Sequence, residues 1–232
     1  MPKNNSFEPV PAGTGTPKRL IIYDLDGTLV DTREDITSSV QHMLKEMGAA
    51  PMAPQEIQRY VGRGLHHLVA SALKSRKRQD IQRGAEIYRD YYAQHMMDHS
   101  RLYEGALDLL KFFEDRKQAV ITNKPNPFTE DLLGLLGVSQ YFTAIVAGDS
   151  EFPKKPDPSA LRAILKREKI KAAEALFIGD SVIDIETARN AGVEIAVVLH
   201  GFSGEDELKS ASPDLIARDF GELQAALPSK GW

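Results

Sequence analysis

Apolar residues follow two rhythms along this chain. Residues 20 to 23, LIIY, form an unbroken apolar run with two β-branched members, as expected of a short strand covered on both faces. The polarity then flips. Asp24 and Asp26 stand two apart, so an extended backbone points both carboxylates to one side while Leu25 turns back toward the core. Gly27 permits a sharp turn after them. From Ile36 the rhythm changes to steps of three and four, through Val40, Met43, Leu44 and Met47, with Gly48 placed to end a helix. Pro51 and Pro54 break the chain, and Pro54 suits the first turn of a helix running toward Tyr60 and Val61. Leu65, Leu68, Val69 and Leu73 predict another helix and residues 81 to 97 a further one. No strand is predicted between residues 30 and 100.

Beyond Tyr103 the two rhythms alternate. The pattern predicts helices over 106–113, 128–136, 159–165 and 185–190, the last with Gly192 beyond its end. Between them it predicts buried strands over 118–122, 144–147, 175–178 and 194–199. Such alternation implies an α/β fold, a doubly wound parallel sheet of the Rossmann-like kind, with ligands bound beyond the carboxyl ends of its strands. The helical stretch reads as an all-helical insertion of about 65 to 70 residues, the size of a small lid domain. The expected division is a flexible tail over 1–18, a core from 19–31 and 101–232, and a helical cap over 32–100. The tail is rich in Pro, Gly and Thr and lacks the apolar centre of a signal peptide.

Composition narrows the function classes. A chain of 232 residues can bury a sizeable core. Its net charge of −4 is small and mixed in sign, with no long basic run to track a phosphate backbone, so no nucleic-acid partner is expected. No window approaches the roughly 18 consecutive apolar residues of a membrane span, so no membrane partner is expected either. With no cysteine there is no disulfide, thiolate nucleophile or Cys-based zinc site, which is compatible with a reducing, cytoplasmic setting.

Candidate chemistry gathers at the predicted strand ends. The first strand leads to Asp24 and Asp26, and the second to Thr122 and Asn123, a hydroxyl and an amide suited to phosphoryl oxygens at a helix start. The third leads to a loop, KKPDP, in which prolines stiffen the backbone and a lysine, Lys154 or Lys155, supplies fixed positive charge. The fourth leads to Asp180, with Asp184 four further on, either sharing a helix face or both reaching back from the turn. Singly, these have ordinary readings as a helix cap, a solvated loop or turn chemistry. All four in this order are much less expected by chance. Two carboxylates as close as Asp24 and Asp26 require either a retained proton or a cation between them. Four carboxylates against Lys155 leave three net negative charges, which would repel a phosphate dianion unless a divalent cation joined. Oxygen-only ligands favour magnesium.

DLDGTLVDT, ITNKP, KKPDP and GDSVIDIETARNAG, in this order from about residue 19 to 220, resemble the haloacid dehalogenase-like superfamily, in its phosphatase branch with a helical cap inserted after the first strand. The resemblance implies that Asp24 is a nucleophile that becomes phosphorylated, while Asp26 protonates the leaving group and later activates water. It implies that Thr122 and Asn123 bind the phosphoryl group and that Lys155 offsets charge. Magnesium would be held by Asp24, the Asp26 backbone carbonyl and Asp180, with Asp184 supporting the metal site. An acid at Asp26 favours phosphate monoesters over halides.

Among cap-bearing members the chain looks most like the phosphoglycolate phosphatases, through TNKP, KKP and YVGRG. In the last of these, Arg63 is a candidate contact for a substrate carboxylate. The expected partner is a small phosphate ester, and the expected assembly a monomer or homodimer. A phosphosugar mutase, passing the same aspartyl-phosphate to a second hydroxyl, is the alternative enzyme. A non-catalytic phosphometabolite binder is the alternative outside catalysis. The six histidines are expected in surface or packing roles, with His200 near a strand end.

Overall fold

The structure, a computed structural model, describes residues 15–232. The expected tail lies mostly outside them. Its last residue departs from that expectation, because Lys18 is buried, donates to the Ala173 carbonyl at 2.8 Å and pairs with Glu194.

Six parallel strands form the central sheet: β1 (Leu20–Tyr23), β4 (Lys117–Ile121), β5 (Ala144–Val146), β6 (Ala175–Gly179), β7 (Glu194–Val198) and β8 (Leu215–Ala217). Their order is β5-β4-β1-β6-β7-β8, so the chain builds outward on one side of β1 and then crosses to build on the other. A reversal of this kind opens a crevice at the carboxyl end of the central strand. Side chains of β1 divide between two cores, Ile21 and Tyr23 into one and Leu20 and Ile22 into the other. This is why the LIIY run is apolar throughout rather than alternating. The one polar tip there, the Tyr23 hydroxyl, meets Gln118 Oε1 at 2.9 Å, and the Gln118 amide donates to the Leu110 and Phe113 carbonyls.

Four helices form an insert in the connection from β1 to β4: α1 (Arg33–Glu46), α2 (Pro54–Gln58), α3 (Leu65–Leu73) and α4 (Arg78–His95). They close around a hydrophobic cluster of their own, built from Val40, Met43, Ile57, Val69, Tyr88 and Tyr92 among others, with Phe128 of the core packed against it. The chain enters this helical insert through β2 (Val30–Asp31) and leaves it through β3 (Arg101–Leu102), which pair antiparallel. Strands of two residues carry no detectable periodicity, which is why the pattern misses them. Asp35, buried on α1, accepts from the Ser100 N–H at 2.7 Å and hydroxyl at 2.6 Å and from the His99 N–H at 3.1 Å, fastening the two ends together.

The remaining helices, α5 (Ala106–Phe112), α6 (Phe128–Leu135), α7 (Ser159–Glu168), α8 (Val182–Ala191), α9 (Glu205–Ser210) and α10 (Phe220–Lys230), flank the sheet. Of these, α5, α6 and α7 follow the predicted periodicity, α8 begins three residues earlier than its apolar spacing indicates, because Ser181 caps it, and α9 and α10 lie beyond the last element the pattern predicts. Among the described residues no helix is long and apolar enough to cross a membrane.

Candidate active site

The sheet brings the carboxyl ends of β1, β4 and β6 together. Asp24 follows β1, and Thr122 and Asn123 follow β4. Asp180 follows β6, and the loop after β5 returns with Lys155. Lys155 joins two of these ends, with its buried ammonium 2.7 Å from Asp24 Oδ1 and 2.6 Å from Asp184 Oδ1. Asp180 and Asp184 do not share a helix face. Asp180 precedes α8, while Asp184 sits in its first turn and reaches back to accept from the Ser181 hydroxyl at 2.6 Å and N–H at 3.1 Å. Ser181 in turn accepts from the Asp184 N–H, completing a capping box. Asp180 takes the Thr28 hydroxyl at 2.7 Å and the Phe202 N–H at 2.8 Å.

Gly27 makes this closeness possible. Its φ of +83° is a left-handed conformation, and a Cβ there would stand 2.4 Å from the Phe202 ring and 2.5 Å from Asp180 Oδ2.

Asn123 is placed differently from its expected use. Its side-chain amide donates to the Gly62 and Lys155 carbonyls at 2.8 and 3.0 Å, and its Oδ1 accepts from the Lys155 N–H at 2.8 Å. These bonds occupy the side chain in holding the lysine loop and the helical insert.

Electrostatically the site is under tension. Burial, then the neighbouring Asp184 charge, pushes Asp24 up to about 7 against the pull of Lys155. Burial and the charges of Asp184 and Asp24 raise Asp180 well above the carboxylate range. Burial alone would lower the Lys155 ammonium, but Asp184 and Asp24 outweigh it and raise it.

These residues fit a hard divalent cation. Asp24, Asp180 and Asp184, all buried, place carboxylate oxygens within 4.8 Å of one another. Asp24 Oδ1 has an ion-pair partner but no aligned hydrogen-bond donor. A cation there would offset the burial and the mutual repulsion that together raise Asp24 and Asp180.

Three further groups escaped the sequence reading. The buried Lys124 ammonium lies 3.0 Å from Asp26 Oδ1 and donates to the Tyr92 hydroxyl of α4 at 2.7 Å. The Thr32 hydroxyl donates to the same Asp26 oxygen at 2.9 Å. Lys124 stood in view within TNKP, but nothing in its spacing tied it to Asp26. With it, the four carboxylates face two ammonium groups, and the balance is two negative charges rather than three.

Asp24, Asp26 and Asp180 line a cavity of about 610 Å³ whose far wall is the helical insert, including Arg59 and an exposed Arg63. His200 lies outside that lining. Its ring stacks on Tyr103 at 3.9 Å and reaches the Thr28 carbonyl at 3.0 Å.

A family model described as haloacid dehalogenase-like hydrolase matches residues 21–198. A phosphoglycolate phosphatase of Vibrio parahaemolyticus is 31% identical over 214 residues, which cover 88% of this chain and 94% of the relative. Phosphoglycolate phosphatase 1 of Pseudomonas aeruginosa is 33% identical over 214 residues, 88% of this chain and 78% of the relative. The crystal structure of a predicted phosphoglycolate phosphatase from Haemophilus somnus superposes with a TM-score of 0.86 at 25% identity, covering 90% of this chain and 98% of that one. The chain therefore belongs to the haloacid dehalogenase-like hydrolase family and stands among its phosphatases.

Proposed function

We propose that this chain is a magnesium-dependent phosphatase that hydrolyses a small phosphate monoester through an aspartyl-phosphate on Asp24. The observation that carries the proposal is the convergence of three buried carboxylates and Lys155 at the strand ends.

In the first half-reaction an Asp24 oxygen attacks phosphorus, the bond to the ester oxygen breaks, and Asp26 delivers its proton to that oxygen. In the second, Asp26 takes a proton from water as the water oxygen attacks phosphorus. Orthophosphate leaves and Asp24 is restored. Lys155 holds Asp24 in place and offsets charge on the transferring group, while the Thr122 hydroxyl and the Asn123 N–H receive phosphoryl oxygens. When bound by Asp24, the Asp26 carbonyl and Asp180, magnesium supplies the positive charge that admits a phosphate dianion to this acidic site. Asp184 supports that set by fixing Lys155 and the turn that carries Asp180.

The helical insert acts as a cap over residues 32–100, excluding water from the cavity and selecting the substrate. Phosphoglycolate is the substrate named for the relatives, and Arg63 at the cavity wall suits its carboxylate. We place the protein in the cytoplasm as a monomer or homodimer, since a chain without cysteine suits a reducing compartment.

The test is orthophosphate release from p-nitrophenyl phosphate and a panel of phosphorylated metabolites, phosphoglycolate included, with and without magnesium. Acid-quench trapping of the phosphoenzyme accompanies it. Turnover and a trapped phosphoenzyme that both vanish in Asp24→Asn are expected. Turnover that persists in Asp24→Asn overturns the covalent route.

A further inference from the structure

A second groove, of about 570 Å³, lies along α3 and α4 of the helical insert and shares no lining residue with the cavity over Asp24. Arg76, just past the end of α3, and Arg78, the first residue of α4, mark one end, while His66 and Arg89 mark the other. Positions 78, 82, 86 and 89 follow one another at steps of four, four and three, so Arg78, Gln82, Glu86 and Arg89 share one face of α4. At about 1.5 Å per residue, Arg78 and Arg89 are separated by roughly 16 Å along the helix.

The charge of this groove runs against that of the chain. Three guanidinium groups face one carboxylate, Glu86, in a protein whose net charge is −4. Glu86 takes the Gln82 amide at 3.3 Å. None of the three arginines makes an ion pair or side-chain hydrogen bond among the described residues. The positive field continues past the groove, since burial and then the charges of Arg89 and Lys154 lower His66.

Like charges gathered without partners repel one another, and an anion seated among them would turn that cost into binding. The planar fork of arginine pairs best with phosphate and carboxylate oxygens. The lining holds no Phe, Tyr or Trp, and so offers no stacking platform for a nucleobase. Cations at both ends select an elongated ligand charged along its length.

We propose that this groove binds a linear polyanion of the inorganic oligophosphate class, bridging Arg76 and Arg78 at one end and Arg89 at the other. The site is separate from the catalytic carboxylates and acts whether or not magnesium is bound.

Isothermal titration of the metal-free full chain tests it, because without metal the acidic catalytic site repels anions. Tripolyphosphate is expected to bind at least about tenfold more tightly than orthophosphate, which can reach only one end. Arg78→Gln and Arg89→Gln should each weaken tripolyphosphate about tenfold, and Glu86→Gln should tighten it by removing the one opposing charge. Lys166→Gln, an exposed position on α7 of the core, should leave it unchanged. Equal affinity for the two anions, or no response to the three groove substitutions, overturns the proposal. So does equal weakening by Lys166→Gln, which would mark diffuse attraction instead of a site.

Discussion

The Lys124 ammonium lies within 3.3 Å of both carboxylate oxygens of Asp26 and at the same time donates to the Tyr92 hydroxyl. One cation thus connects the strand-end loop, the proposed proton carrier and helix α4, and it sits 4.4 Å from the centre of the Tyr92 ring. Removing it frees Asp26 to rotate away from the reacting oxygen. Lys124→Met should lower kcat by roughly ten- to a hundredfold, within the range ascribed to positioned acid–base groups. Magnesium affinity should stay unchanged. Tyr92→Phe, which deletes only one bond to that cation, should lose much less. Steady-state kinetics on both variants check the order.

Among the described residues, Lys155 is the sole cation contacting Asp24 and Asp184. Lys155→Met leaves two buried carboxylates without it and should cost the metal-free protein about 3–5 kcal/mol in urea unfolding. Adding Asp184→Asn should recover part of the loss by deleting one of the stranded charges. Equal stability of the single and double variants would show that the pair is not electrostatically coupled.

The raised carboxylates set the sign of the pH dependence. Between the ordinary aspartate value of about 3.9 and the folded value of about 7 for Asp24, the folded state binds the proton more tightly than the unfolded state. Stability of the metal-free protein therefore falls as pH rises through that window, by up to roughly 1.4 kcal/mol per pH unit for each such group. Asp180, raised in the same direction, adds to the slope. Magnesium should then raise Tm more at pH 8 than at pH 5. Thermal melts across pH, with chelator and with magnesium, measure it, and a metal-free Tm that climbs from pH 5 to 8 would contradict the assignment.

Gly27→Ala introduces a Cβ into the space between Phe202 and Asp180 and forces a side chain into a left-handed turn. A stability loss of roughly 1–3 kcal/mol from the backbone is expected, together with weaker magnesium binding as Asp180 is displaced. Calorimetric titration of magnesium separates the two effects.

Arg63→Ala should raise KM for carboxylate-bearing phosphate esters about tenfold, the order of one lost charge-assisted contact. It should leave p-nitrophenyl phosphate nearly untouched. An unchanged KM for phosphoglycolate would remove Arg63 from substrate recognition.

What could be read from the chain follows its physics. Strands buried on both faces announce themselves as apolar runs, so β1, β4 and β6 were legible, and so were the polar residues at their ends, Asp24, Thr122 and Asn123, and Asp180. β8 was not, because its run is only three residues long and stands after a proline and an aspartate. The pairing of β2 with β3 joins residues about seventy positions apart through two residues each, and no local pattern encodes that. Lys124 and Thr32 stayed hidden for a related reason. Their tie to Asp26 depends on where the helical insert docks, whereas Lys155 was signalled by its own stiff KKPDP loop. Asn123 was visible as a polar residue, but which of its groups remains available depends on Gly62, a residue of the insert.

The excursion from the sheet departs at Asp31 and comes back at Arg101, directly across from where it left. An opening that narrow makes the strands indifferent to the length and shape of whatever hangs from it. Evolution can therefore lengthen, trim or exchange the appendage without shifting strand register, and so rewrite which molecule is chosen while the reaction itself is inherited intact.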